Sequence, residues 1–210
     1  MIHIVLPVGM LQCNCSVLGD EVTREAIVVD PGGDIQTIVD VLRQNELKVK
    51  AIVITHAHID HVTASNELRA ATGAPVYMNG RDKVLLDALD VQAGWLGVKP
   101  PAAVEIDSHS AEGTVLKAGA TEFHIMDTPG HTPGSQSVWI PSESKLLAGD
   151  TLFRNGIGRT DLPGGDGRLI LSSIRTKLLA LPPETVVTPG HGAETTIGRE
   201  KEHNLFLRGL

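Results

Sequence analysis

Thr55-His56-Ala57-His58-Ile59-Asp60-His61 places four metal-capable side chains within six residues, directly behind the apolar run AIVI at 51–54. His56 and His58 stand two apart, so on an extended or looped backbone they face the same way. Asp60 continues that alternation and His61 turns to another side. Neutral imidazoles with a carboxylate suit zinc, manganese or iron(II). A packing motif has no use for three imidazoles and a carboxylate at the end of a buried strand.

Outward from this segment, short apolar runs alternate with helical patterns. Residues 26–30 (AIVVD) read as a buried strand ending at Pro31-Gly32-Gly33. Asp34 is placed to cap the next helix, with Ile35, Ile38, Val39 and Leu42 on its apolar face. The 51–54 run is a second buried strand. A helix is expected over 63–71, stopping at Gly73. A short strand follows at 76–78, a helix at 81–89, and an irregular stretch at 91–101. From Thr114 the period changes, and 114–117, 122–127, 136–140 and 145–148 read as strands with tight turns. Leu171, Ile174, Leu178 and Leu181 predict a helix over 168–181. A last strand is expected at 185–188 and a final helix at 197–205. The N-terminal 1–7 reads as a first strand. This order predicts an α/β protein, two sheets sandwiched between helix layers.

With 41% hydrophobic and 20% charged residues, the chain builds an ordinary core and is not a disordered or disulfide-dense one. Three Phe, two Trp and one Tyr make that core aliphatic, and nine His need an explanation. The net charge of −7 argues against nucleic acid and against an anionic membrane surface as partners. No apolar stretch approaches the roughly 20 residues a membrane span needs. The N-terminus lacks the basic flank and cleavage site of a signal peptide. Cys13 and Cys15 are too close to staple a fold and too few for a cysteine-based zinc site. A reduced, cytoplasmic setting is therefore expected, with the cysteines unpaired on a strand.

Other strand ends carry His or Asp as well: His131 in TPGHTPG, Asp150 in AGDTLF and His191 in TPGHG. Together with His56-x-His58-x-Asp60-His61 they resemble the signature of the metallo-β-lactamase-fold hydrolases. The likeness runs from the QCNC segment at 12–15 to EHNLFL at 202–207. It is nearest to the single-domain glyoxalase II-like branch, the hydroxyacylglutathione hydrolases. The resemblance implies a four-layer αβ/βα sandwich over 1–210, one domain without the C-terminal helical domain of longer glyoxalase II enzymes, with a dinuclear metal site at the sheet edge. It assigns His56, His58 and His131 to one metal and Asp60, His61 and His191 to the other. Asp150 bridges both. The two ions are expected to be zinc, with iron or manganese as alternatives.

The implied reaction is hydrolysis of an acyl-thioester, S-D-lactoylglutathione or a similar hydroxyacyl-thiol, by a hydroxide held between the metals, with Asp60 and Asp150 as catalytic residues. A thiolate leaves readily, since a thiol's pKa is only about 8.5. In the segment 153–167, rich in glycine, GIGRTD matches the family stretch whose basic residue meets the glutathione moiety. Arg159 takes that place, with Arg154 and Arg168 as possible helpers. Its structural alternative is an ion pair with Asp161 or Asp166. Thr55 and Asp30 are candidates to hydrogen-bond ligands from behind. The glycines and prolines around His131 and His191 (Pro129, Gly130, Pro133, Gly134, Gly190, Gly192) read first as turn formers. Trp95 and Leu96 read as local core, or else as a flap over the metal cleft. Tyr77, Trp139 and the Phe residues read as core. His3, His109, His124 and His203 have no motif context. Two other chemistries compete. One is an iron-dependent persulfide dioxygenase using His56, His131 and Asp150, a branch that shows Ala-His-Asp where this chain has Gly190-His191-Gly192. The other is a promiscuous lactone or β-lactam hydrolase. The expected partner is a small-molecule thioester, with the chain a monomer or small homo-oligomer.

Overall fold

The computed structural model describes residues 1–209. The first sheet has the order β1 (Ile2–Val8), β2 (Cys13–Gly19), β3 (Glu25–Val29), β4 (Lys48–Val53), β5 (Val76–Met78) and β6 (Ser108–His109). Its first three strands pair antiparallel and the rest parallel. Helices α1 (Ile35–Gln44) and α3 (Ser65–Thr72) make two of the parallel crossovers, with the short α2 (Ile59–Val62) leading into α3. Helices α4 (Lys83–Leu86) and α5 (Leu89–Leu96) lie in the third.

The second sheet takes β7 (Val115–Ala118), β8 (Thr121–Asp127), β9 (Gln136–Ile140), β10 (Lys145–Gly149), β13 (Val186–Pro189) and β14 (Thr195–Thr196), in that spatial order. Between β10 and β13 run the hairpin β11 (Leu152–Phe153) and β12 (Gly156–Ile157), then α6 (Gly167–Ser173), a π-helical turn (Ile174–Leu178) and the return to the sheet. Helix α7 (Ile197–His203) closes the fold.

Strand alternation sorts the apolar side chains into three cores. Ile27, Val29, Ala51 and Val53 meet Phe123, Ile125, Val138 and Leu147 between the sheets. Ala26, Val28, Ile52 and Ile54 point the other way, onto Ile38, Leu42 and Leu68. Leu146, Ala148 and Val187 pack on Ile170, Ile174, Leu178 and Ile197. The result is the expected four-layer sandwich. No helix among the described residues is long and apolar enough to cross a membrane.

Several local expectations are corrected. Asp34 does not cap α1. It sits at φ +48°, and its carboxylate instead accepts the Gly9 N–H at 2.8 Å, tying down the β1–β2 turn. The helix expected at 63–71 starts at Ser65 instead, after a separate turn, α2, whose Ile59 and Val62 are buried. Gly73 ends α3 as expected, at φ +70°. The 81–89 helix is a 3₁₀ turn (Gly80–Asp82) followed by the single α-helical turn of α4. The stretch expected to be irregular is helical up to Leu96, since Leu89, Gln92 and Ala93 form a buried face there. The 168–181 helix turns π-helical at Ile174, and α7 ends at His203. Phe206 is exposed, not core.

Candidate metal centre

All seven predicted ligand residues meet at one end of the sandwich. His56 and His58 follow β4, while Asp60 and His61 lie on α2. The helix replaces the alternation expected at Asp60. His131 follows β8, Asp150 follows β10, and His191 follows β13. Among these seven residues three groups form, each with ligand atoms within 4.8 Å of one another: His56/His58/His131, Asp60/His61/His191, and His56/His61/Asp150. Asp150 stands between the first two. Its Oδ1 is 3.6 Å from His61 Nε2, and its Oδ2 is 3.6 Å from His131 Nε2.

The hydrogen bonds behind the imidazoles fix which nitrogen faces inward. Asp30 accepts the Thr55 N–H and the Thr55 hydroxyl, both at 2.7 Å. The hydroxyl's one proton is thereby committed, so at 3.0 Å it accepts from His56 Nδ1–H. His61 Nδ1–H donates to Asp30 Oδ2 at 2.9 Å, His131 Nδ1–H to the Arg159 carbonyl at 2.8 Å, and His191 Nδ1–H to the Leu11 carbonyl at 3.0 Å. Four rings thus turn Nε2 toward the same small space. His58 is the exception, presenting Nδ1, which lies 2.9 Å from His131 Nε2. His61 and His191 bring their Nε2 atoms to 3.3 Å. His56 Nε2 and Asp150 Oδ1 are buried without any partner. Lone pairs and carboxylates crowded together in this way suit a divalent cation, with four of the five rings oriented from behind.

The electrostatics of the protein alone divide these imidazoles into a pair held neutral and a pair that favours a proton, which a bound cation would displace. Burial and the surrounding imidazoles push His56 well below the ordinary histidine range, and burial with His131 and His61 pushes His58 down to about 3. Both stay neutral, as ligands must. Burial also disfavours charge on His61, but Cys13, Asp30 and Asp150 outweigh it and hold the ring well above its usual value. The Asp60 carboxylate, 3.0 Å from His191 Nε2, raises His191 in the same way.

Asp30 and Thr55 therefore fill the supporting place expected for them. Sequence reasoning missed three others. Asp82 is fully buried and accepts from Ala57 N–H (2.9 Å), Thr132 Oγ1–H (2.8 Å) and Gly134 N–H (2.5 Å). One carboxylate thus joins the loop carrying His56 and His58 to the loop carrying His131. Gln92 holds the first loop from its other side, accepting from Ile59 N–H and donating to the Ala57 carbonyl. Cys13 Sγ packs 3.4 Å from His61 Nδ1, and burial raises this thiol to about 11.

The glycines do more than turn. A Cβ on Gly190 would lie 2.1 Å from Asp150 Oδ1 and 2.8 Å from His61 Cε1, so only glycine lets the chain leaving β13 pass this close to both.

The ligands open onto a cavity of about 430 Å³, walled also by Leu11, Gln92, Trp95, Leu96, Arg159 and Leu162. Trp95 is 57% exposed and belongs to the cavity mouth rather than to the core. Arg159 lies on the wall and makes the predicted ion pair, with Nε and Nη2 each 2.8 Å from Asp161. Both partners are exposed, so that pair is weak and exchangeable. Arg154 and Arg168 are exposed and do not line the cavity.

A family model described as the metallo-beta-lactamase superfamily matches residues 8–191. Hydroxyacylglutathione hydrolase GloC of Haemophilus influenzae is 40% identical over 206 residues, covering 97% of this chain and 96% of that one. The crystal structure of BLEG-1 B3 metallo-beta-lactamase superposes with a TM-score of 0.92 at 40% identity, covering 99% of this chain and 100% of that one. TTHA1623, solved in a di-iron-bound form, gives 0.86 at 34% identity, with coverage of 99% and 100%.

Proposed function

The chain belongs to the metallo-beta-lactamase superfamily, and from that premise we propose that it is a metal-dependent hydrolase of acyl-thioesters, S-D-lactoylglutathione or a similar hydroxyacyl-thiol. His56, His58 and His131 would hold one divalent ion and Asp60, His61 and His191 a second, with Asp150 standing between the two groups. Zinc is the first choice, with iron or manganese as alternatives. The observation that carries this reading is the pair of three-ligand groups joined by Asp150, with four Nδ1–H groups anchored outward. The similarity to a hydroxyacylglutathione hydrolase supports the choice of substrate.

Divalent ions bound there would supply acidified water and a Lewis-acid face for a carbonyl oxygen. The protein's own groups do the rest. Asp60, on the cavity wall, orients the attacking water and takes its proton. Asp150 keeps the two halves of the centre in register. The thiolate departs without a proton donor, in keeping with a cavity that holds no Tyr or Lys acid. Water adds to the acyl carbon, the C–S bond breaks, and acid and thiol are released. Arg159 exchanges Asp161 for a carboxylate on the thiol part of the substrate. We place this work in a reducing, cytoplasmic setting, to which the two buried free thiols Cys13 and Cys15 are suited. The chain acts there as one domain on a small-molecule substrate.

A second reading, β-lactam hydrolysis at the same centre, is favoured by the similarity to BLEG-1. Metal analysis of the purified protein, paired with turnover of S-D-lactoylglutathione and of a chromogenic cephalosporin, separates the two. Loss of the thioester with a slow or absent cephalosporin reaction supports the proposal. Metal-loaded protein that leaves every acyl-glutathione intact refutes it. Oxygen consumption with glutathione persulfide, at one iron per chain, would move the assignment to the dioxygenase.

A further inference from the structure

A second cavity of about 210 Å³ opens beside the metal centre and shares Leu11, Ile59, Asp60 and Leu96 with it. Its walls come from the β1–β2 turn (Met10, Leu11) and from the end of α5 with the chain beyond it (Leu96, Val98, Pro101). Among the described residues, Asp60 and Lys99 are the only charged side chains on its lining. Among the described residues, five of the twelve exposed large apolar side chains, Met10, Leu11, Trp95, Leu96 and Val98, line this slot or the metal cavity. Scattered apolar exposure is ordinary on a soluble protein, but convergence on one cavity marks a ligand site.

The slot also has a direction. It adjoins Asp60 and the turn whose Leu11 carbonyl holds His191, so it lies past the Asp60/His61/His191 group. Arg159 lies at the other end, where its carbonyl holds His131. A thioester laid across the centre with its thiol's carboxylates at Arg159 puts its acyl group into the slot. A lactoyl group is short and carries a hydroxyl, so it would leave most of that apolar space unfilled.

Resting on the thioesterase reading but replacing its hydroxyacyl group, we propose that the acyl arm of the preferred substrate is an apolar chain seated between Met10 and Leu11 on one side and Leu96 and Val98 on the other, and that lactoyl is a poor member of the series. Each methylene that leaves water for a half-open apolar slot improves binding by about twofold, half the free energy of full burial.

Two measurements test this. The first is kcat/KM for metal-loaded enzyme on lactoyl-, acetyl-, butyryl-, hexanoyl- and octanoyl-glutathione. The expected result is a rise of about twofold per methylene from acetyl to hexanoyl, with lactoyl near the bottom. The second needs no turnover: affinity for S-methyl-, S-butyl- and S-hexylglutathione by calorimetry, with the same rise expected. The double variant Met10→Ser, Val98→Ser changes only exposed positions and should flatten both series. Turnover or affinity that is flat with chain length, or unchanged in the variant, overturns the apolar slot while leaving thioester hydrolysis standing. Should no thioester be cleaved, the hydrolase reading falls and the S-alkyl series alone decides the slot: a rise lost in the variant supports it, and a flat series refutes it.

Discussion

Asp82→Ala removes a side chain that touches no metal ligand, yet it should weaken one half of the centre. Three donors converge on this carboxylate, at 2.9, 2.8 and 2.5 Å, and its side chain is fully buried. Hydrogen bonds to a charged acceptor are worth about 1.5–3 kcal/mol each, and donors left unpaired in the interior cost about 1–3 kcal/mol each. Water entering the vacated space recovers part of that, so the loss should be about 3–5 kcal/mol. For a protein of this size that is a fall in Tm of roughly 10 °C. Asp82→Asn should recover little. If its amide oxygen serves Ala57 and Thr132, its NH₂ faces the Gly134 N–H. The more telling consequence is local. The carboxylate joins the Ala57 backbone, between His56 and His58, to the loop of His131, whereas the Asp60/His61/His191 group is held by Asp30 and the Leu11 carbonyl. Metal content after dialysis against a graded chelator should therefore fall towards one ion per chain, the ion of the His56/His58/His131 group leaving first. A folded Asp82→Ala protein with unchanged Tm that holds two ions as tightly as the parent would refute this reasoning.

Three further outcomes are expected. Gly190→Ala places a methyl 2.1 Å from Asp150 Oδ1; the displaced carboxylate should lower kcat by roughly a hundredfold, the scale of a misplacement of about 1 Å, while circular dichroism stays unchanged. Arg159→Ala breaks only an exposed pair with Asp161, so Tm should not move; KM for acyl-glutathiones should rise by about tenfold with kcat nearly constant. His3 is held neutral by burial and by the Lys145 ammonium 3.1 Å from its Nδ1, which lowers it to about 4 from a usual 6.5. The unfolded chain takes up that proton first. Stability should therefore be full above pH 6.5 and decline as pH falls towards 4, and His3→Gln should flatten that slope in denaturant titrations across the window.

The parts of the fold legible in the sequence were those with strong local periodicity. The apolar runs of β3, β4 and β10 are buried on both faces and announce themselves. The two-residue strands β6, β11, β12 and β14 are too short for any alternation to show. At the site, spacing alone identified only the segment from His56 to His61. The joining of His131, Asp150 and His191 to it came through family resemblance, because strand order, not sequence distance, brings them together. Asp82 and Gln92 left no readable signal. An aspartate opening a helical turn looks like an ordinary cap, and both act on backbone groups 25–35 positions away. The choice for Trp95 between core and cavity flap stayed open for a related reason. Apolar residues occur all round α5, so its pattern did not reveal that Leu89, Gln92 and Ala93 form the buried face and that Trp95 faces the cavity.

The ligand groups have a property that neither half of the chain could supply alone. His56, His58, Asp60 and His61 follow β4 of the first sheet, and His131, Asp150 and His191 follow β8, β10 and β13 of the second. His56/His58/His131 and Asp60/His61/His191 each draw two residues from the first half and one from the second, and Asp150 joins the two groups from the second half. Any cation bound there ties the two sheets together at this end of the sandwich. Elsewhere the sheets are held by side chains such as Phe123 and Ile125 against Ile27 and Val53, a contact that tolerates small sliding. Ligand geometry does not tolerate it, since metal–ligand distances hold to about 0.2 Å. Asp82 belongs to this logic. It lies in the crossover between β5 and β6 of the first sheet, and it grips Thr132 and Gly134 beyond β8 of the second. The buried carboxylate fixes across the seam what the metal would need already fixed, so the ligands wait in position rather than being gathered by the ion.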